Sequence, residues 1–211
     1  MKRVINLDNW NRKEHFKFFS ALDDPFWGIT TTVDFTSIYQ QSKNMEVSFF
    51  LYSVHFLLKC INATTAFKLR IENGEVVEYD KINILPTIGR EDGTFGFGFF
   101  EYDTDLSLFI ENAEKEIHRV KNSTGLSFSK DTARADVIRY SALPWFAFSE
   151  MKHAGSIQTG DSIPKISTGK LIQEKKKLLL PISISVHHGL VDGRNVAEFI
   201  QNVKDGQNNT L

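Results

Sequence analysis

The chain has 211 residues, 41% of them hydrophobic, and a formal net charge of -1, which suits one compact domain with a full core spanning residues 1–211 and gives no footprint for nucleic acid. No apolar run reaches eighteen residues, and the opening Met1-Lys2-Arg3-Val4-Ile5-Asn6 lacks the apolar centre of a secretion signal, so a soluble, cytoplasmic protein with no membrane partner is expected.

Asp8 is placed to cap a first helix running to about Leu22. Pro25 then ends the connection before a strand from Phe26 to Phe35. Met45 to Ile61 is the longest helical candidate, so apolar that burial is expected. Lys68 to Ile71 and Val76 to Tyr79 form a hairpin across Glu72-Asn73-Gly74-Glu75, with Asn-Gly as its turn signal. Gly93 to Phe100 contains Gly-x-Gly, but its period of two reads as a strand with phenylalanines on one face rather than as a phosphate cradle. A helix from about Thr104 to Val120 follows. Val137 to His188 is mostly strand, with an irregular excursion around Ala154 to Ser162, and a last helix closes the chain. Irregular alternation of this kind predicts an α+β fold, a two-layer sandwich of a mixed β-sheet with packed helices, and not a doubly wound nucleotide fold.

The single cysteine, Cys60, lies inside an apolar run, which excludes a disulfide within the chain and marks it as packing. His15, His55, His118 and His153 are scattered, and no metal site is expected. Lys175-Lys176-Lys177 reads as a solvated turn before a strand.

That strand carries the most informative residues. Lys177 to Val186 reads as buried, with Ile182, Ile184 and Val186 alternating with Ser183 and Ser185. The alternation, carried on, puts His188 on the aliphatic face and His187 on the serine face. An imidazole against an apolar wall disfavours its charged form and leaves a neutral nitrogen, as a general base requires. Asp192-Gly193 then opens a segment in which Val196, Ala197, Phe199, Ile200 and Val203 recur at helical spacing. Taken singly, Asp192 is a helix N-cap and His188 a core imidazole.

Taken together, His187-His188-Gly189-Leu190-Val191-Asp192-Gly193 after a strand resembles the signature of the chloramphenicol acetyltransferase family and its wider acyltransferase superfamily. Asn9-Trp10-Asn11-Arg12-Lys13-Glu14-His15-Phe16 is similar to the family's opening segment, and Ser141-Ala142-Leu143-Pro144-Trp145 to its Ser-Ala-x-Pro-Trp stretch. The hairpin, Pro164 to Lys170 and Leu179-Leu180-Pro181 fit as well, so the resemblance covers nearly the whole chain.

The resemblance implies an acetyl-coenzyme A-dependent O-acetyltransferase with that family's fold. It makes His188 the base, Ser141 the oxyanion donor, and Asp192 the ion-pair partner of Arg12. Trp145 and Lys170 match coenzyme-contacting positions, and Ser167 matches a hydroxyl near the reaction centre. Read without the resemblance, Arg12 is a surface helix residue, Ser141 a satisfied strand hydroxyl, Trp145 core and Lys170 an exposed strand residue. The acceptor cavity is expected to draw on Phe19, Trp27, Phe95, Phe97, Met151 and His153. It is more crowded and polar than the family's pattern, because Phe97 stands where a small residue is usual and Lys152 and His153 interrupt an apolar stretch. A homotrimer with sites between subunits is implied, with coenzyme A and a small-molecule acceptor as partners. The alternatives are a relative acting on a different small alcohol or amine and a catalytically idle ligand-binding relative. The acyltransferase core of a 2-oxo acid dehydrogenase complex and the condensation domain of a peptide synthetase share the histidine motif. The first carries a lipoyl or tethering segment, and the second needs a longer chain.

Overall fold

The computed structural model describes residues 1–155 and 160–208. Its strands are β1 (Lys2–Val4), β2 (Phe26–Asp34), β3 (Leu69–Glu72), β4 (Glu75–Tyr79), β5 (Asn83–Gly89), β6 (Phe95–Phe97), β7 (Val137–Ala142), β8 (Lys165–Thr168), β9 (Ile172–Glu174) and β10 (Lys177–His187). The helices are α1 (Lys13–Ser20), α2 (Thr36–Asn44), α3 (Phe49–Ala63), α4 (Leu106–Lys121) and α5 (Gly193–Asn208).

Alternation in β10 decides the architecture. Ile182, Ile184 and Val186 turn to one side and pack with Ile166, Ile138 and Ile84 of the neighbouring strands against Val54, Leu57, Leu58 and Ile61 of α3 and Val196, Phe199 and Val203 of α5. Each such side chain contributes about 1.5–3 kcal/mol on burial, so this layer of helices over the sheet supplies most of the stabilisation. The strands run β2-β10-β8-β7-β5-β6 across the main sheet, with β9 on β10. The pairs β5 with β7 and β7 with β8 are parallel and the others antiparallel, so the sheet is mixed and the fold α+β. The hairpin of β3 and β4 joins β1 in a separate three-stranded sheet. Asn73 and Gly74 at its tip have φ of 52° and 81°, the left-handed pair that a tight two-residue hairpin needs.

Several expected boundaries move, each for a local reason. The first helix begins at Lys13, because Asn6 Oδ1 accepts the Asp8 N–H at 2.9 Å and closes a separate short turn over Leu7–Asn9. Asp8 pairs with Lys13 instead of capping that helix. The long helix expected from Met45 starts at Phe49, and Met45 closes α2, which the sequence reading missed. Asp34 Oδ1 accepts from both the backbone N–H and the hydroxyl of Thr36 to start α2, and Glu46 at φ 55° turns the chain before α3. The strand expected over Gly93 to Phe100 contracts to Phe95–Phe97, because Phe97 N–H turns to Leu126 and Ile84 meets Phe100 only as an isolated bridge. The irregular stretch after β7 begins at Leu143, well before Ala154. Of the excursion expected at Ala154 to Ser162, residues 156–159 lie outside the described residues.

Arg70 is fully buried without a carboxylate partner among the described residues. Its guanidinium donates to the carbonyls of Phe67, Leu69, Ala135 and Val137, which ties the small sheet to the start of β7. Burial pushes its pKa down to about 10.

Candidate active site

The ladder between β10 and β2 ends where His188 N–H donates to Pro25 O at 2.8 Å. The chain then turns tightly, with the N–H groups of Leu190 and Val191 both donating to His187 O at 3.0 Å, and α5 begins. The two histidines therefore face opposite sides at one corner of the sheet. His187 is 4% exposed and meets Phe26 edge-on, and its Nδ1 accepts the Gly189 N–H at 3.2 Å. Burial pushes its pKa down to about 4, against a smaller upward pull from Asp161.

His188 lies flat on Phe19, with ring centroids 3.8 Å apart and planes 15° apart, and Trp27 leans on it at 5.4 Å. The expected apolar wall is thus made of two aromatic rings. Trp27 is fixed in turn by its indole N–H, which donates to Val191 O at 2.9 Å. His188 Nδ1 is buried with no hydrogen-bond partner among the described residues.

Arg12, the residue just before α1, reaches across to this corner. One of its nitrogens pairs with Asp192 Oδ2 and another donates to His188 O at 3.1 Å. The other oxygen of Asp192 accepts the N–H groups of Arg194 at 2.9 Å and Asn195 at 3.2 Å, and Asn195 Oδ1 accepts the Asp192 N–H in return. Asp192 is therefore both the N-cap of α5 and an ion-pair partner. Its burial favours the neutral acid, but the hydrogen bonds from Arg12 and the helix start outweigh this and hold its pKa below the usual range.

Ser141 stands elsewhere. It pairs in register with Ser167, and Ser167 with Ser183, so all three share the serine face. His188 is five residues beyond Ser183 and on the other face. At about 3.3 Å per residue and about 4.8 Å per strand, Ser141 and His188 of one protomer are roughly 19 Å apart. The hydroxyl of Thr87 donates to Ser141 Oγ at 3.2 Å, which directs the proton of Ser141 away from Thr87.

A cavity of about 860 Å³ lies against the serine face, bordered by Phe26, Trp27, Met151, His153 and Lys165 among others. Three of the expected acceptor residues, Trp27, Met151 and His153, thus meet in one space. His153 Nε2 lies 3.0 Å from the hydroxyl of buried Ser167. Burial, then the nearby Lys165, lowers the pKa of His153. Phe19 packs on His188 rather than on this cavity. Phe95 and Phe97 lie on β6 at the opposite sheet edge, where Phe97 stacks on Phe128 with planes 5° apart. Trp145 is 73% exposed. The next residue, Phe146, accepts the N–H of exposed Lys170 at 3.0 Å. Among the described residues no group of three His, Cys, Asp or Glu side chains has the arrangement to hold a metal ion, and no helix is long and apolar enough to cross a membrane.

Residues 2–204 match the family profile described as chloramphenicol acetyltransferase. The chain belongs to the chloramphenicol acetyltransferase family. It is similar to chloramphenicol acetyltransferase 3 of Escherichia coli, 27% identical over 208 residues, which covers 98% of this chain and 97% of that protein. A Staphylococcus aureus chloramphenicol acetyltransferase is 28% identical over 205 residues, covering 95% and 93%. A solved chloramphenicol acetyltransferase superposes with a TM-score of 0.89 at 30% identity over 98% of this chain and 99% of the other. A probable dihydrolipoamide acetyltransferase from Listeria monocytogenes shares the fold alone, with a TM-score of 0.69 at 13% identity over 99% and 94%. This chloramphenicol acetyltransferase relative is thus a member of an acyltransferase enzyme family with that family's α+β architecture.

Sequence reasoning passed over Thr87, Asp161 and Lys165. Lys165 left one trace, since it and Ser167 occupy the same side of β8 while Ile166 occupies the other. Thr87 and Asp161 left none, because their neighbours depend on register between distant strands and on a loop.

Proposed function

We propose that this protein transfers the acetyl group of acetyl-coenzyme A to a hydroxyl of chloramphenicol by direct attack, with His188 as general base. The observation that carries the reading is the corner where Arg12 grips both Asp192 and the carbonyl of His188 while Phe19 and Trp27 hold the ring. A base needs fixed geometry, and here the backbone and the ring are held independently. Buried Nδ1 leaves Nε2 to take the acceptor proton. As the acceptor oxygen attacks the thioester carbonyl, a tetrahedral oxyanion forms, and the Ser141 hydroxyl donates to it, a contribution of about 3 kcal/mol to lowering the barrier. The proton then leaves His188 with the coenzyme thiol.

The separation of roughly 19 Å within one protomer supports a site built between protomers, with His188, held by its own Phe19 and Trp27, from one and Ser141 with the Met151 and His153 side of the cavity from the next. A homotrimer closes such a head-to-tail contact without an open end. Exposed Trp145 offers a face for the adenine ring and Lys170 a cation for the phosphates of coenzyme A, with Ser167 beneath the cavity. Phe95 and Phe97 complete the acceptor side from the far edge. One soluble domain acting in the cytoplasm accounts for the chain.

The test is to incubate the purified protein with acetyl-coenzyme A and chloramphenicol, follow released thiol, and weigh the product for one added acetyl group. Turnover is expected with the wild type, and His188→Ala should lose at least about a hundredfold in kcat while keeping its assembled mass. No thiol release above the acceptor-free control would refute the reading, and near-normal turnover by His188→Ala would refute the base assignment.

A further inference from the structure

The cavity on the serine face holds a buried cation that acetyl transfer does not need. Lys165 is 7% exposed, borders that cavity, and has its Nζ 4.3 Å from the centre of the Phe26 ring. Its carboxylate neighbour is Asp161, with Oδ2 at 3.5 Å. That carboxylate is shared, because Arg139 also pairs with Oδ2 while Oδ1 accepts the Ile163 N–H at 3.0 Å. Two cations thus face one anion; Arg139 is 41% exposed and screened by water on its outer side, while the Lys165 end of the cluster is buried, where its positive charge is poorly screened. Asp24, Glu150 and Lys152 also border the cavity but are exposed, so solvent and salt weaken their influence. The histidines nearby, His153 and His187, carry no negative charge to offset Lys165.

Resting on the reading of this cavity as the acceptor site, we infer that Lys165 is a specificity-determining residue that makes an alcohol carrying a carboxylate a tighter-bound acceptor than a neutral one of the same shape, neutral chloramphenicol being taken without that contact. An ammonium has three donors, and an ion pair 3.5 Å long on one side leaves it able to engage a second anion from the cavity. The Phe26 ring lies 4.3 Å from the Lys165 nitrogen, and the Gly155 backbone lies so close that a Cβ there would stand 2.6 Å from Nζ. The nitrogen is thus held in place rather than swinging into solvent. An acceptor carboxylate would complete the set of two cations and two anions. A neutral group of the same shape would leave the excess charge uncompensated.

The test is equilibrium binding, which does not depend on turnover. The matched pair is 4-(hydroxymethyl)benzoate and 4-(hydroxymethyl)benzamide, of nearly equal size, measured by calorimetry at pH 7.5 with wild type, Lys165→Met and Lys165→Arg. The wild type should bind the carboxylate about tenfold more tightly than the amide, the range of one charge-assisted hydrogen bond. Lys165→Met, which keeps the stem and leaves Asp161 paired with Arg139, should bring the two within about twofold, and Lys165→Arg should restore most of the preference. Equal affinities in the wild type, no binding of either compound, or a preference unchanged in Lys165→Met would overturn the assignment. Thiol release with the same two alcohols reports separately on acetyl transfer. Selective binding without turnover would overturn the proposed reaction and leave the role of Lys165 standing.

Discussion

His187 should make this protein acid-sensitive well above the pH at which its carboxylates titrate. Burial lowers its pKa from 6.5 to about 4 in the folded state, so between these values the unfolded chain binds a proton that the folded chain refuses. Stability from this group is therefore complete above about pH 6.5 and is lost as pH falls through the window down to about 4, a total of about 3 kcal/mol. Between pH 7.5 and pH 5 the loss should be about 2 kcal/mol, or about 1 M in urea midpoint at a slope near 2 kcal/mol per molar. His187→Asn isolates the effect, because the Asn oxygen can accept the Gly189 N–H that Nδ1 now accepts and does not titrate. The variant will be weaker at every pH, since the ring no longer fills its place against Phe26. Its deficit relative to the wild type should nevertheless shrink by about 2 kcal/mol from pH 7.5 to pH 5. The assay is urea unfolding at both pH values with protein concentration fixed, because association contributes to apparent stability. An unchanged deficit, or an NMR titration of His187 centred near 6.5, would refute the reasoning.

The ion pair at the same corner invites a double-mutant cycle. Arg12→Ala should cost about 2 kcal/mol of stability, and Asp192→Ala somewhat more because it also removes the cap of α5; the two losses should fall short of additivity by about 1 kcal/mol in urea unfolding. Ser141→Ala should lower kcat by a factor of about 10² to 10³ with little change in KM, as read by steady-state thiol release. For Arg70, even Lys should fail, since one ammonium cannot span the carbonyls of Phe67, Leu69, Ala135 and Val137. A loss of about 3 kcal/mol of stability, read from the shift of the Arg70→Lys urea midpoint, is expected.

How far the sequence could be read depends on how local each cause is. The alternation of Ile182, Ile184 and Val186 with serines, the Asn73-Gly74 turn and the helical spacing after Asp192 are short-range patterns, and the structure has strand, hairpin and helix at those places. The fold class followed from their order. Asp192 looked like a choice between a cap and an ion pair, and its two oxygens allow both. Helix α2 was missed because its start depends on Asp34, a residue that reads as the end of a strand. Arg70 looked like an ordinary hairpin residue, since two of its four acceptors, Ala135 and Val137, lie far along the chain. Nothing in the spacing of Ser141 and His188 reveals that they lie on opposite faces of one sheet. That fact rests on the register of β7, β8 and β10.

The claim on which the mechanism depends is that His188 and Ser141 act on one substrate from two different protomers. Hybrid assemblies test it directly. Inactive His188→Ala and Ser141→Ala protomers, unfolded together in equal amounts and refolded, should regain about a quarter of wild-type turnover, because three-quarters of randomly assembled trimers are mixed and each mixed ring holds one intact site of three. Hybrids that form but show only the residual activity of the parents would contradict the account.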